Sequence, residues 1–518
     1  FDTRPELGRA FLATACAGEK MMYESYWGRG LAVLLKGEAV KRLANFGLCI
    51  AGWTTKLKKA CGRPLANGSG RPRMPPERFM NGPLTKELAI LKYRAIAHPT
   101  VGNAVRLILA FMRDGGHHID DITILTFDLK GAYTLMSYAA QLVAHVGVEL
   151  RDEVFMFFLG GVFGLTSMPF AFDVLTRALV WELNNGVLKG RCLMFVDDGF
   201  IVTLRQHEEA DILATRLKVT GLLGADAMAE DKLIRALLQD NRLDFIGYNL
   251  CLRTQFVTIA RHNLLKALFA FGTADVSEGA SRSVKTLQRL ASLGSRYGGI
   301  CRLMRPFVRV LYAAYTGRQH QATVLLDNLT RRVITLFKVL LVMTSAFPTR
   351  FATPFAAFTV YQPCWVCEFD ASLEGIGIIW YHRRTDGLEC PVAYTDVDIT
   401  PLGFTNKSQL QNTAEYLAGF FAALGLAIMG KAHLPSLFRG DSMSALTWIE
   451  KGSLRSDTAI KAAMLWAQAA VQCRMVVTGT TFITGLGENE RSLTCGACDA
   501  EGGRVQPGGL DHSAQQPH

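Results

Sequence analysis

The chain has 518 residues, 49% hydrophobic and 19% charged, which excludes a wholly disordered or fibrous polypeptide and supplies apolar material for several cores. Its net charge of +11 is distributed as +10 over residues 1–100, −5 over 101–260, +10 over 261–345 and −4 over 346–518. Basic blocks flanking an acidic one suit a polyanion held on both sides of a metal-binding centre, and they equally suit uneven surface charge.

In chain order, residues 1–60 read as a helical amphipathic extension, with Leu31, Val33, Leu34 and Leu35 followed by basic positions. Residues 61–82 are rich in Gly, Pro and Arg and predict a loop or irregular hairpin. A helix is expected from Thr85 to Arg113, then a strand over Ile122–Phe127 that stops at Asp128. A helix over 169–184 follows a Gly-rich turn. A second apolar strand, Arg191–Val196, again stops at an acid. A helix over Glu208–Leu223 and the segment Leu243–Asn249 complete the acidic block. Residues 262–345 are basic and helical, and residues 346–363 hold three prolines among aromatics, which predicts a linker. From Trp365 the pattern alternates in period two, predicting a hairpin with Gly375 and Gly377, then helices at 408–429 and 442–452. The tail, 501–518, is Gly, Pro, Gln and His without periodicity, an expected disordered segment.

Twelve cysteines over this length are too sparse for a disulfide scaffold. No charged-then-apolar leader opens the chain, and the longest apolar stretches are short, so no membrane partner is expected. The expected location is intracellular, nucleus or cytoplasm. Residue 1 is Phe, so the chain is expected to be a fragment of a longer polyprotein.

Two apolar strands ending in Asp128 and in Asp197-Asp198 suit a hard divalent cation, which takes carboxylate oxygens. Two such ions can clamp an in-line phosphoryl displacement. An Asp after a strand is also ordinary turn chemistry; the Asp-Asp pair is rarer, because adjacent like charges repel.

Phe127-Asp-Leu-Lys-Gly-Ala-Tyr133 resembles motif A of reverse transcriptases, and Phe195-Val-Asp-Asp198 resembles their motif C. Phe163–Phe170 is similar to motif B, Ala229–Leu233 to motif D and Leu243–Tyr248 to motif E, all in the family's order. The resemblance implies a right-hand polymerase of α+β class, with fingers and palm over 61–260 and a helical basic thumb over 261–345. It implies that Asp128, Asp197 and Asp198 hold Mg²⁺, with Mn²⁺ as the alternative ion. Tyr133 stands where the family has its steric gate against a ribose 2′-OH. Gly164, Ser167 and Pro169 would shape a template-facing turn, Lys232 would approach the triphosphate, and the Phe245–Gly247 hairpin would grip the primer end. Taken alone, Tyr133 reads as a packed core aromatic and Lys232 as a solvated helix end. Arg63 would meet the incoming triphosphate by bidentate hydrogen bonds. Asn67 stands where the family has Asp, a departure that would loosen the fingers.

Arg305-Pro-Phe-Val-Arg-Val-Leu-Tyr312 resembles the segment that follows the polymerase in DIRS- and Ngaro-type retrotransposons. Beyond it, Asp370 in a first strand, Glu415 on a helix and Asp441 at a later strand end resemble the acids of ribonuclease H, an α/β domain assigned to 364–500. The resemblance makes these three a second metal centre. At the position of the family's fourth acid stands Leu493, with Asp499 nearby.

The implied partners are an RNA template, a DNA primer, an RNA–DNA hybrid and deoxynucleoside triphosphates. Two alternatives remain: a catalytically decayed nucleic-acid-binding remnant, and a ribonuclease H-type nuclease alone. The pairs Cys364/Cys367 and Cys495/Cys498 have zinc-ligand spacing but lie far apart in sequence. His117-His118 before Asp120-Asp121 reads as a polar loop.

Overall fold

The computed structural model describes residues 16–43, 46–54, 63–67, 81, 85–150, 153–237, 239–300, 304–319, 322–346, 352–358, 363–402, 407–452, 454, 457–473, 475 and 477–483. It is a mixed helix and strand structure in two compact units, one of residues 1–100 and 111–237, the other of residues 101–110 and 238–518. Among the described residues no helix is long and apolar enough to cross a membrane.

The first unit contains two sheets. The five-stranded one runs Ala32–Lys36, Val154–Phe158, Gly147–Glu149, Leu48–Thr54, Arg63–Asn67. Its core gathers Met22, Tyr26, Leu34, Val148, Met156 and Phe158. This corrects the expected helical extension: among the described residues there, Ala17–Ser25 is the longest helix, and Leu34 faces Met156 across an antiparallel strand pair. A short apolar run carries no period of its own, so long-range pairing decides its state. Residues 63–67, expected in a loop or irregular hairpin, form a strand that pairs antiparallel with Leu48–Thr54.

The four-stranded sheet is antiparallel, in the order Arg191–Phe195, Asp198–Leu204, Ile122–Asp128, Ile234–Arg235. Ile122–Asp128 is buried at every position, the signature of a central strand covered on both faces. Helices Met168–Glu182 and Glu208–Leu223 supply Phe172, Leu179, Ile212 and Val219 to its core. The helix expected over 85–113 is two helices, Lys86–Tyr93 and Val101–Gly115. Between them lies Pro99, which disfavours helical backbone at His98.

In the second unit the hairpin Arg242–Phe245/Tyr248–Cys251 continues into Phe256–Ile259 and then Thr353–Pro354. Thr353 pairs with Val257, and Phe355 beside it is fully buried. Part of the expected linker is therefore sheet and core. Helices Arg261–Gly272, Val284–Ile300, Arg305–Ala313 and Asn328–Ala346 make up the basic block. Ser281–Ser283 and Thr323–Leu325 pair as a two-stranded sheet, and a five-stranded sheet runs Glu389–Asp398, Gly375–Arg383, Trp365–Ala371, Ser436–Gly440, Val477–Phe482, with the first three strands antiparallel and the last two parallel. Helices Lys407–Ile428, Met443–Lys451 and Asp457–Cys473 accompany it.

Candidate active sites

The first candidate site grows from a two-residue turn. Arg191–Phe195 and Asp198–Leu204 pair with Phe195 opposite Asp198, leaving Val196 and Asp197 as the connection. Val196 takes a left-handed φ of 57°, a strained choice for a β-branched residue. The next pairing sets Asp128 opposite Asp198 and Phe127 opposite Gly199. A side chain at 199 would run into the Phe127 ring, its Cβ only 2.2 Å from Cε1. The Asp-Asp-Gly order therefore follows from packing: the acids need a glycine beside them so that Phe127 can cross. The Leu129 N–H donates to the Asp197 carbonyl at 3.0 Å, and the Ala229 N–H donates to the Asp128 carbonyl at 3.0 Å.

Asp128 is buried, and the Lys232 ammonium is ion-paired with its carboxylate. Burial first, then the charges of Asp197 and Asp128, push the Asp198 carboxyl up to about 6, against the pull of Lys232. Asp128, Asp198 and Lys232 thus lie together at the strand ends with Asp197 in the connecting turn; unlike the second triad below, these three acids do not bring one carboxylate oxygen each within 4.8 Å of one another.

The other residues singled out in this unit lie on the elements around that turn. Tyr133 packs its ring against Phe163 at 4.8 Å and Phe172 at 5.5 Å. Gly164, with a φ of 113°, begins the turn whose Ser167 and Pro169 open helix Met168–Glu182. Asn81, which sequence reasoning missed, holds this turn: its Nδ2 donates to the Gly164 carbonyl and its Oδ1 accepts from the Thr166 N–H, both at 2.8 Å. Strand Arg63–Asn67 joins the same turn through the Ala66 N–H, which donates to the Phe163 carbonyl at 2.8 Å. The side chains of Arg63 and Asn67 lie outside the described residues.

In the second unit, Ile246 and Gly247 form a two-residue hairpin turn with φ of 43° and 91°. Asn263 Nδ2 donates to the Gly247 carbonyl at 3.1 Å, and Arg296 Nη1 to the Ile246 carbonyl at 3.2 Å. The Phe245 ring that precedes the turn is buried.

The second candidate site is tighter. Asp370 lies on Trp365–Ala371, Asp441 follows the parallel strand Ser436–Gly440, and Glu415 projects from helix Lys407–Ile428. Their carboxylate oxygens lie within 4.8 Å of one another, a grouping that can hold a metal ion. Glu415 Oε1 accepts from the Ala371 N–H at 3.4 Å and from Gln411 Nε2 at 3.3 Å. Its Oε2 is buried without a hydrogen-bond partner. Burial, then the charges of Asp370 and Asp441, push Glu415 up to about 8. An orphaned buried carboxylate oxygen facing two more acids fits a divalent cation, because such an ion is the partner that relieves all three at once.

The remaining sequence candidates come to less. Cys367 is fully buried, and burial pushes its thiol up. Cys495, Cys498, Leu493 and Asp499 lie outside the described residues. His118 and Asp120 form an exposed pair at 3.3 Å, a polar loop as expected.

No protein-family model and no curated protein matches the chain. Among solved structures it is similar to a foamy viral protease-reverse transcriptase in complex with double-stranded DNA, at 15% identity and a TM-score of 0.43 over 92% of this chain and 84% of that one. A second such DNA complex gives 14% identity and 0.43 over 92% and 70%. The RNA/DNA hybrid complex gives 13% and 0.35 over 78% and 48%. Likeness at these scores fixes neither fold nor chemistry, which rest on the residues above.

Proposed function

We propose that the chain is an RNA-directed DNA polymerase of a retroelement of the DIRS/Ngaro type, carrying a ribonuclease H-like domain. The observation that carries this reading is the strand register that puts Asp128 opposite Asp198, one residue past Asp197, at the strand ends. In this reading Asp128, Asp197 and Asp198 hold Mg²⁺, or Mn²⁺ in its place. Such ions, held by these acids, would supply acidification of a primer 3′-hydroxyl and countercharge for the leaving pyrophosphate. Tyr133, held between Phe163 and Phe172, is a rigid wall that excludes a 2′-hydroxyl. Arg63 and Lys232 serve the triphosphate; the Gly164–Pro169 turn faces the template, and the Ile246–Gly247 turn with Phe245 beneath it supports the primer. Asp370, Glu415 and Asp441 cut the RNA strand of the hybrid.

The test is primer extension on an RNA template with deoxynucleotides and Mg²⁺. Wild type is expected to extend the primer and Asp197→Asn is not; equal incorporation by both would end the polymerase assignment. The gathering of the second triad within 4.8 Å supports a nuclease-only reading as well. In that case hybrid cleavage survives Asp197→Asn, disappears with Asp370→Asn, and no protein extends the primer.

A further inference from the structure

Arg305 opens helix Arg305–Ala313, and its guanidinium reaches in two directions. Nε donates to the Gly298 carbonyl at 3.0 Å, and Nη1 donates to the Glu450 carbonyl at 3.3 Å. Gly298 lies in the last turn of helix Val284–Ile300, in the basic helical block, and Glu450 lies in the last turn of Met443–Lys451, in the nuclease-like domain. Both are carbonyls that a helix leaves without an internal partner, at the end where the helix dipole favours a cation. One guanidinium therefore closes the C-termini of two helices belonging to different sequence blocks.

The surroundings are shaped for it. A Cβ at Gly298 would lie 3.2 Å from Arg305 Cγ. One at Gly452, which has a left-handed φ of 62°, would lie 2.8 Å from Arg305 Cβ and 2.9 Å from Pro306 Cδ. Two glycines thus flank the arginine, and neither position has free room for a methyl group. The fixed planar fork of Arg suits two divergent acceptors in a way the point charge of Lys does not.

The other end of Met443–Lys451 leads to the candidate nuclease site. Ser442 caps it, accepting from the Ala445 N–H at 3.2 Å, and sits 3.3 Å from Asn412 of the Glu415 helix. Asp441 immediately precedes that cap. A Cβ on Gly419, one turn after Glu415, would lie 2.8 Å from Ile449 Cδ1, so the two helices meet closely. Nine residues of helix span roughly 13 Å. A hold on the far end thus fixes the direction from which Asp441 enters its site.

We infer that Arg305 is a positioning residue that registers the nuclease carboxylates against the helical block, so that hybrid held on that block is cut at a fixed place. The cutting arm rests on the nuclease reading proposed above; the double helix cap does not. The test is carried out on the full chain. Hydrogen exchange is followed by mass spectrometry in segments 294–300 and 446–452, and cut positions are mapped on an end-labelled RNA–DNA hybrid with Mg²⁺. Arg305→Ala should speed exchange about tenfold in both segments, since one charge-assisted bond is lost from each helix end. It should also spread a narrow set of cut positions into a broad one. Arg305→Lys retains charge and should protect one segment only; it decides the matter if the alanine variant does not fold. Unchanged exchange in both segments, or full protection of both by lysine, overturns the double cap. Faster exchange with an unmoved cut pattern reduces Arg305 to a structural cap and overturns the positioning role. Faster exchange in both segments with no cutting by wild type defeats the nuclease reading and leaves the cap standing, with no registration role for Arg305.

Discussion

Asp128 meets an ammonium from its own chain, whereas Glu415 buries one oxygen with no hydrogen-bond partner. Both sit among two further acids, and burial raises a carboxyl in each group, Asp198 to about 6 and Glu415 to about 8. The first centre carries part of its countercharge internally through Lys232. The second answers its charge excess by holding a proton at neutral pH. The comparison teaches that similar triads of acids reach different resting states according to whether the fold supplies a cation nearby.

The largest expected effect breaks the comparison at chemistry. Asp128→Asn should lower primer extension on the order of 10³-fold while leaving hybrid cleavage intact, measured on the same preparation. Loss of both activities together would show that the centres are not independent.

Next comes stability against pH. The Glu415 pKa is raised from 4.5 to about 8, so folding favours its protonated form. That contribution is full below pH 4.5 and is lost as pH rises through 8. In chelator, Glu415→Gln should therefore be more stable than wild type at pH 9, by on the order of 3 kcal/mol. The gain should vanish toward pH 5, as followed by urea denaturation. A pH-independent difference would show that burial of the carboxylate is not what Gln relieves.

Divalent metal should separate the centres further. Mg²⁺ at a hundred times its dissociation constant should stabilise the second unit by about 2.7 kcal/mol, seen as a shift of its thermal transition. Asp370→Asn should remove most of that shift and Asp197→Asn little of it. Binding near pH 7 should also release a proton, since Glu415 must ionise to become a ligand.

The smallest effect sharpens the first centre. Lys232→Met removes a nearby charge that lowers the Asp198 pKa, so it should move above 6. Metal-free stability should then fall by about 0.5–1 kcal/mol between pH 6 and 8, a small value because the lysine is half-exposed. No change would mean that Lys232 is not the countercharge.

Much of the first site was legible because its signals are local. Ile122–Asp128 and Arg191–Phe195 are apolar runs with an acid at the end, and helix Glu208–Leu223 matched its expected bounds. The opening sheet was not legible: Ala32–Lys36 and the start of Leu48–Thr54 pair with strands about a hundred residues away, and only the rest of Leu48–Thr54 pairs locally, with Arg63–Asn67. Strand Glu389–Asp398 escaped notice because Pro391 interrupts it, and it tolerates a proline as the edge of its sheet. In the second triad the three acids were readable from their elements, but the orphaned Glu415 oxygen and the Gln411 beside it depend on packing. Asn81 and the reach of Arg305 are long-range bonds to backbone carbonyls, and a carbonyl leaves no mark in sequence.

The Asn81 bridge carries a chemical vulnerability. Asn81 precedes Gly82, a residue with no side chain to hinder its own backbone nitrogen from attacking the asparagine amide and expelling ammonia. Loss of its nitrogen would turn the donor facing the Gly164 carbonyl into a negatively charged oxygen while sparing the acceptor for Thr166. The turn that opens helix Met168–Glu182 would then be pushed away on one side, so aged protein should lose this loop through a one-dalton change in mass, with no substitution in the gene.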